Sequence, residues 1–317
     1  MLVHQKRSVL RVQSLLNLHM FSNYRIHAAL EKYAPSGIEL VGHWPYPYKE
    51  KDWEVDTSCD LYLLHISTPD PSSYRPFAWN DLDWWKKLTD DFYQKKKVLL
   101  AEYLVDDMEY PDWVGEGDVI QSYSYNAVSH PNLIKPPSPL AGRWIDESLF
   151  NPIANVERES GRILVCHGQS WDKIEKVPLF PYPQFHPKLT LLGLGDGDKD
   201  KYNLRSGHNN IWAPPIEVDK LNSAYSQADV AVNMQYGGFE SWAIEAMFCG
   251  CKAYYPDTEH YRVLFGDENI GFYDPNDIAN TLHPINDLTE EDIKFARAKW
   301  SAKERVPAFW NEVRCRI

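Results

Sequence analysis

Glu240 and Glu245 lie in one short segment, Gly237-Gly238-Phe239-Glu240-Ser241-Trp242-Ala243-Ile244-Glu245. The glycine pair forms a turn that other residues make with difficulty. Both acids then fall in the first turn of a helix, where backbone amides lack partners and the helix dipole is positive. Lys173 follows the strand-to-helix turn at His167, Gly168 and Gln169, a natural place for a phosphate contact. It reads equally as a solvated surface lysine, and His167 as a plain strand-end histidine. Asp106 and Asp107, with Glu102, come at the end of an apolar strand. In open α/β sheets the loops beyond strand ends collect ligand-facing groups. These acids read equally as a helix cap and solvated carboxylates. Ser22 and Asn23 occupy the first strand-to-helix turn, where helix amides can meet an anion.

The elements that must position these residues alternate between strand and helix. Arg7–Leu16 reads as a first strand, 17–23 as a turn, Tyr24–Tyr33 as a helix and Gly37–Trp44 as a second strand. Asp60–Ser67 is a buried strand. Asp81–Lys97 has helical spacing at Leu82, Trp85, Leu88 and Phe92, and Lys95, Lys96 and Lys97 suit its negative end. Val98–Leu104 and Asp118–Tyr123 are further strands. Pro136–Pro152 is proline-rich and aperiodic, the best domain boundary. Arg162–His167 and Leu189–Leu192 are strands, separated by a loop with four prolines between Lys176 and Lys188. Val218–Ala228 is a helix. It leads into a strand in which Val230, Val232 and Met234 alternate. The helix after the glycine pair buries Ile244, Met247 and Phe248, and Gly250 stops it. Cys251–Tyr255 begins the next strand. Leu288–Trp300 and Lys303–Val313 are closing helices. This order suits parallel sheets with right-handed crossovers.

A chain of 317 residues with 44% apolar content can bury one large core or two medium ones. Its 12 Trp and 19 Tyr suit an aromatic core, or rings that stack on sugar and base faces. The net charge of -12 opposes non-specific binding to nucleic acid or anionic membrane. Five cysteines without disulfide or zinc spacing fit a reducing cytoplasm. No apolar run approaches membrane-spanning length, so no integral membrane segment is expected. Asp196-Gly197-Asp198 has the spacing of a metal pair, but at no convincing strand end, so no metal site is expected. The glycines from Gly193 to Gly197 lack dinucleotide-fingerprint spacing.

The segment from Gly237 to Gly250 resembles the donor-site signature of GT-B glycosyltransferases, in particular the retaining family 4. Phe239, Ile244, Glu245, Ala246, Met247 and Gly250 fall in register with it. Gly237 stands where the family has its first glutamate, and Glu240 where it has a glycine. Asp146, Phe150 and Pro152 are similar to the family's linker. Lys173 is close to the family's diphosphate-binding lysine, while Gln169 replaces the usual arginine. Gly195, Asp196 and Gly197 match a family turn.

The resemblance implies an α/β protein of GT-B class: two Rossmann-like domains facing across a cleft, with a C-terminal helix crossing back to the first. The expected division is 1–150 on the acceptor side, 151–290 for the nucleotide sugar, and 291–317 packing back on the N-terminal domain. It implies transfer of a sugar from a nucleotide-sugar donor, a UDP-sugar first, with retention, without metal and without a cofactor. Glu245 would hold the donor ribose. Gly237, Gly238, Phe239, Ser241, Lys173, Gly168, Gln169, Ser22 and Asn23 complete the expected donor site. Glu240 and Asp106 are the candidate catalytic carboxylates. The acceptor is a glycan, a small molecule or DNA. A phage-type glucosyltransferase acting on hydroxymethylpyrimidine in DNA is one competing reading, and a non-catalytic relative that binds a nucleotide sugar or glycan is another. A nicotinamide oxidoreductase is disfavoured, because no fingerprint glycines open the chain.

Overall fold

The structure is a computed structural model that describes residues 9–15, 21–41, 56–66, 94–101, 117–122, 129–166, 189–192, 218–233, 241–266, 268–274, 277, 281 and 286–317. The chain divides into two compact units, 1–144 with 302–317, and 145–301. These boundaries fall at 144/145 and 301/302, against 150/151 and 290/291 in the sequence reading.

The first unit carries β1 (Leu10–Leu15), α1 (Phe21–Lys32), β2 (Ile38–Val41), β3 (Leu61–Ile66), β4 (Lys96–Ala101), β5 (Val119–Ser122) and β6 (Leu133–Ile134). The six strands form one sheet in the order β2-β1-β3-β4-β5-β6, and every pair is parallel. A parallel sheet is covered on both faces, which demands strands apolar throughout. Leu61, Leu63, Leu64, Val98, Leu99 and Leu100 are accordingly buried.

Two expectations change here. Helix α1 begins at Phe21, so Ser22 and Asn23 lie inside its first turn and not in the turn before it. Lys96 and Lys97 open strand β4 and do not end a helix. Asp118, at the foot of β5, accounts for this: its carboxylate takes the Lys97 N–H at 2.8 Å and the Lys96 Nζ at 2.7 Å.

The second unit carries β7 (Glu159–Cys166), β8 (Leu189–Leu192), α2 (Val218–Gln227), β9 (Ala228–Asn233), α3 (Trp242–Phe248), β10 (Lys252–Pro256), α4 (Glu259–Phe265), β11 (Gly271–Tyr273) and α5 (Glu290–Trp300). Its sheet has the order β11-β10-β9-β7-β8, again all parallel. The alternation read at Val230 and Val232 is absent. Ala231, Val232 and Asn233 are all buried, as a central strand with layers on both faces requires.

The aromatic residues of this unit form a core. Tyr255 lies 4.8 Å from Tyr261 and 4.5 Å from Phe265, and Phe265 meets Trp300 edge-on at 5.4 Å. Gly271 is needed where it stands, because a Cβ there would come within 2.2 Å of the Tyr254 ring.

The final helix, α6 (Ala302–Arg316), belongs to the first unit and packs against α1. Val306, Phe309, Trp310 and Val313 make its buried stripe at helical spacing. Phe309 sits 5.0 Å from Trp144, and Arg314 donates to the Ser36 carbonyl at 3.2 Å.

Candidate functional site

The order of strands in the second sheet locates a crevice. From β7 the chain moves outward to β8, then returns to β9 on the other side and continues to β10 and β11. The strand order therefore reverses between β7 and β9. Open α/β sheets bind ligands at the carboxyl ends of the strands flanking such a reversal. The last residues of these two strands, Cys166 and Asn233, are register partners. The chain thus leaves the sheet side by side at two places. One exit leads into His167, Gly168 and Gln169, and the other toward Gly237, Gly238, Phe239 and Glu240.

The end of β9 is held firmly. Tyr273 Oη donates to the Asn233 carbonyl at 2.6 Å, and the Asn233 amide donates to Tyr261 Oη at 3.3 Å. Both tyrosines belong to the aromatic core, so the crevice edge rests on packed rings.

Helix α3 begins at the far end of the second segment. Ile244, Met247 and Phe248 are fully buried, the apolar stripe that its sequence spacing predicts. Its end is a Schellman turn: Cys251 N–H donates to Ala246 O at 2.9 Å and Gly250 N–H to Met247 O at 2.8 Å. Gly250 has φ of 81°, the left-handed region that glycine enters at least cost. Two arginines cover the remaining carbonyls. Arg158 donates to Cys249 O at 2.9 Å and Arg297 to Phe248 O at 3.0 Å, complementing the negative end of the helix.

Glu245 points inward. It is 1% exposed. Ser241 Oγ donates to its Oε1 at 2.7 Å, and Tyr225 Oη from α2 donates to its Oε2 at 3.3 Å. Ser241 itself is 4% exposed and makes no capping bond with its side chain. One hydroxyl thus lies on each carboxylate oxygen, and each oxygen keeps a further acceptor site. Tyr225 is a residue that the sequence reading missed. Its signal was a hydroxyl within the buried stripe Leu221, Ala224 and Tyr225 of α2, on the helix that leads into β9.

Of the remaining expected site residues, Ser22 and Asn23 are placed in α1, in the first unit. Glu240, Asp106, Gly237, Gly238, Phe239, Lys173, Gly168 and Gln169 lie outside the described residues. The linker residues are ordered on α2. Phe150 packs 6.0 Å from the Tyr225 ring, and the Asn151 and Ile153 N–H groups donate to Asn222 and Ser226.

The buried thiols are not nucleophiles. Burial pushes Cys59 and Cys251 up to about 12, and Cys249 higher still. At neutral pH all three are protonated. Among the described residues, no group of three or more His, Cys, Asp or Glu could hold a metal ion. No described helix is long and apolar enough to cross a membrane.

No family model matches the sequence, and no curated protein matches it. Solved structures do match. Sucrose-phosphate synthase from Thermosynechococcus elongatus is 12% identical, with a TM-score of 0.61 over 96% of this chain and 98% of that one. A glycosyltransferase from Rickettsia africae is 9% identical, also with a TM-score of 0.61, over 98% of each chain. HepE of Anabaena in complex with UDP-glucose is 9% identical, with a TM-score of 0.57 over 96% and 99%. The chain therefore has the GT-B fold, a mixed α/β architecture of two parallel sheets.

Proposed function

We propose that the protein is a glycosyltransferase that takes a sugar from a nucleotide-sugar donor, a UDP-sugar, and passes it to an acceptor with retention and without a metal ion. The observation that carries this reading is the pairing of Cys166 with Asn233. It brings together, at one sheet reversal, the chain exits toward the two segments that resemble a donor site. The near-full-length likeness to glycosyltransferases supports it, one of them a complex with UDP-glucose.

The chemistry separates charge. As the diphosphate leaves, the anomeric carbon becomes cationic and the phosphate oxygens gain negative charge. Groups already oriented toward that charge stabilise it most. In this reading Lys173 and the backbone at Gly168 and Gln169 meet the diphosphate. Gly237, Gly238 and Phe239 let the chain approach the donor closely, and Ser22 and Asn23 offer a second set of polar contacts. Glu240 and Asp106 are the carboxylates assigned to proton handling and charge stabilisation. Retention and metal independence follow the resemblance, not the geometry. A glycan or small-molecule acceptor suits a chain of net charge -12 better than DNA does.

The test is direct. A bound nucleotide stabilises by mass action, about 2.7 kcal/mol at a hundredfold excess over Kd. Thermal-shift screening against UDP-, GDP-, ADP- and TDP-sugars should give its largest rise with a UDP-sugar. The same donor should then release UDP when acceptors are supplied, with EDTA present. Glu240→Gln and Asp106→Asn should cut that release by about a hundredfold or more while leaving the shift in place. A chain that neither shifts with any sugar nucleotide nor releases a nucleoside diphosphate is not a glycosyltransferase.

A further inference from the structure

We infer that Tyr261 and Tyr273 are positioning residues for a bound donor: their hydroxyls hold Asn233 and so set the end of β9 at the crevice. The inference rests on the nucleotide-sugar reading above.

Strand pairing changes just where β9 ends. β9 pairs with β10 from Val230 and Lys252 to Val232 and Tyr254. β10 then continues beside β11 through Pro256 and Tyr273. Asn233 thus lies one residue past the last pair with β10, while Cys166 of β7 remains its register partner. At this point β11 reaches across, and Tyr273 Oη donates to the Asn233 carbonyl at 2.6 Å. From α4, Tyr261 Oη accepts from Asn233 Nδ2 at 3.3 Å. Two hydroxyls from two other elements therefore hold one strand end.

The residue types fit a role in position. Asn233 is 0% exposed in the middle strand of a sheet covered on both faces, where apolar side chains are the rule. A buried amide costs free energy unless it is hydrogen-bonded. A buried polar link also favours one arrangement over its neighbours. The supports are rigid: Tyr261 and Tyr273 are 0% and 1% exposed, and Tyr261 stacks on Phe265 at 6.1 Å and lies 4.8 Å from Tyr255. The rings build the core, and the hydroxyls fix the strand end. A ligand at this reversal sits against the carboxyl ends of β7 and β9, so a shift of Asn233 moves one wall of its site.

The experiment removes the hydroxyls and keeps the rings. Tyr261→Phe and Tyr273→Phe are compared with Thr289→Ala, which destabilises the second unit through the cap of α5 instead. Binding of UDP-glucose is measured by calorimetry, and unfolding midpoints by urea titration. Each tyrosine variant is expected to bind UDP-glucose about fivefold more weakly, the contribution of one neutral hydrogen bond, whereas Thr289→Ala binds as wild type does. Asn233→Leu removes the amide at nearly constant volume; it replaces a tyrosine variant that does not fold, with the same expected loss. Unchanged affinity in either tyrosine variant would overturn the inference. An equal loss in Thr289→Ala would overturn it too, because binding would then follow stability and not the place of β9. If the wild-type protein does not bind UDP-glucose, the UDP-sugar reading falls, and this inference with it.

Discussion

Gly250 shows how one residue fixes the geometry behind the candidate site. Its left-handed backbone lets α3 end in a Schellman turn, so that β10 starts at once beneath it. A side chain at this position would be strained, by roughly 1–2 kcal/mol for the left-handed conformation. Its Cβ would also come within 3.0 Å of Arg158 Nη2, which is bonded to the Cys249 carbonyl. Gly250→Ala is therefore expected to lower stability by about 1–2 kcal/mol in urea unfolding. An unchanged midpoint would mean that the turn relaxes freely and that the arginine cap contributes little. The carboxylates differ in the same local way. Glu245 is enclosed by hydroxyls, whereas Asp257, just beyond β10, is exposed and holds Arg262 through two bonds of 2.7 and 2.9 Å. The Arg262 guanidinium lies 4.1 Å from the Phe272 ring centre. Asp257 accordingly sits below the usual carboxylate range, chiefly through its hydrogen bond with Arg262.

At the scale of elements, helix starts and stops carry local signals that the sequence makes visible. Helix α5 opens with a capping box: Thr289 Oγ1 accepts from the Asp292 N–H at 3.1 Å, and Asp292 accepts from the Thr289 N–H at 2.8 Å. Thr289→Ala is expected to cost about 1 kcal/mol. The bonds from the Thr289 backbone and hydroxyl hold the Asp292 carboxyl below its ordinary value, so its contribution has a definite sign with pH. It is fully present above the unfolded value of about 3.9 and is lost as pH falls through the folded one. Asp292→Asn should thus be less stable than wild type at pH 7, with the gap closing below about pH 4. A constant gap would show that the carboxylate charge plays no part. Strands β3, β7 and β8, helix α2 and the glycine stop of α3 were legible for this reason: apolar runs and caps are written locally. Lys96 and Lys97 were not, because the residue that draws them into a strand, Asp118, lies about twenty positions on, just before a different strand. The same holds for Glu245. Its spacing on α3 is plain in the sequence, but the hydroxyl that encloses it comes from α2. The two-residue strand β6 carries too short a pattern to be read at all.

At the scale of the molecule, the described residues form two parallel sheets with two strand-order reversals, one between β1 and β3 and one between β7 and β9. The motif that resembles a donor signature belongs to the second. The chain's return through α6 completes the first unit with Phe309 and Trp310, so the first core uses residues from both ends of the sequence. The acidic balance bears on partners and not on fold, and it disfavours polyanionic ones. The central claim is that a sugar nucleotide docks at the carboxyl ends of β7 and β9. Amide hydrogen exchange with and without saturating UDP-glucose tests it most directly, since bound ligand slows the opening of the segments it holds. The account predicts slowed exchange in peptides covering 228–251. Identical exchange across the second unit, with and without the nucleotide sugar, would contradict it.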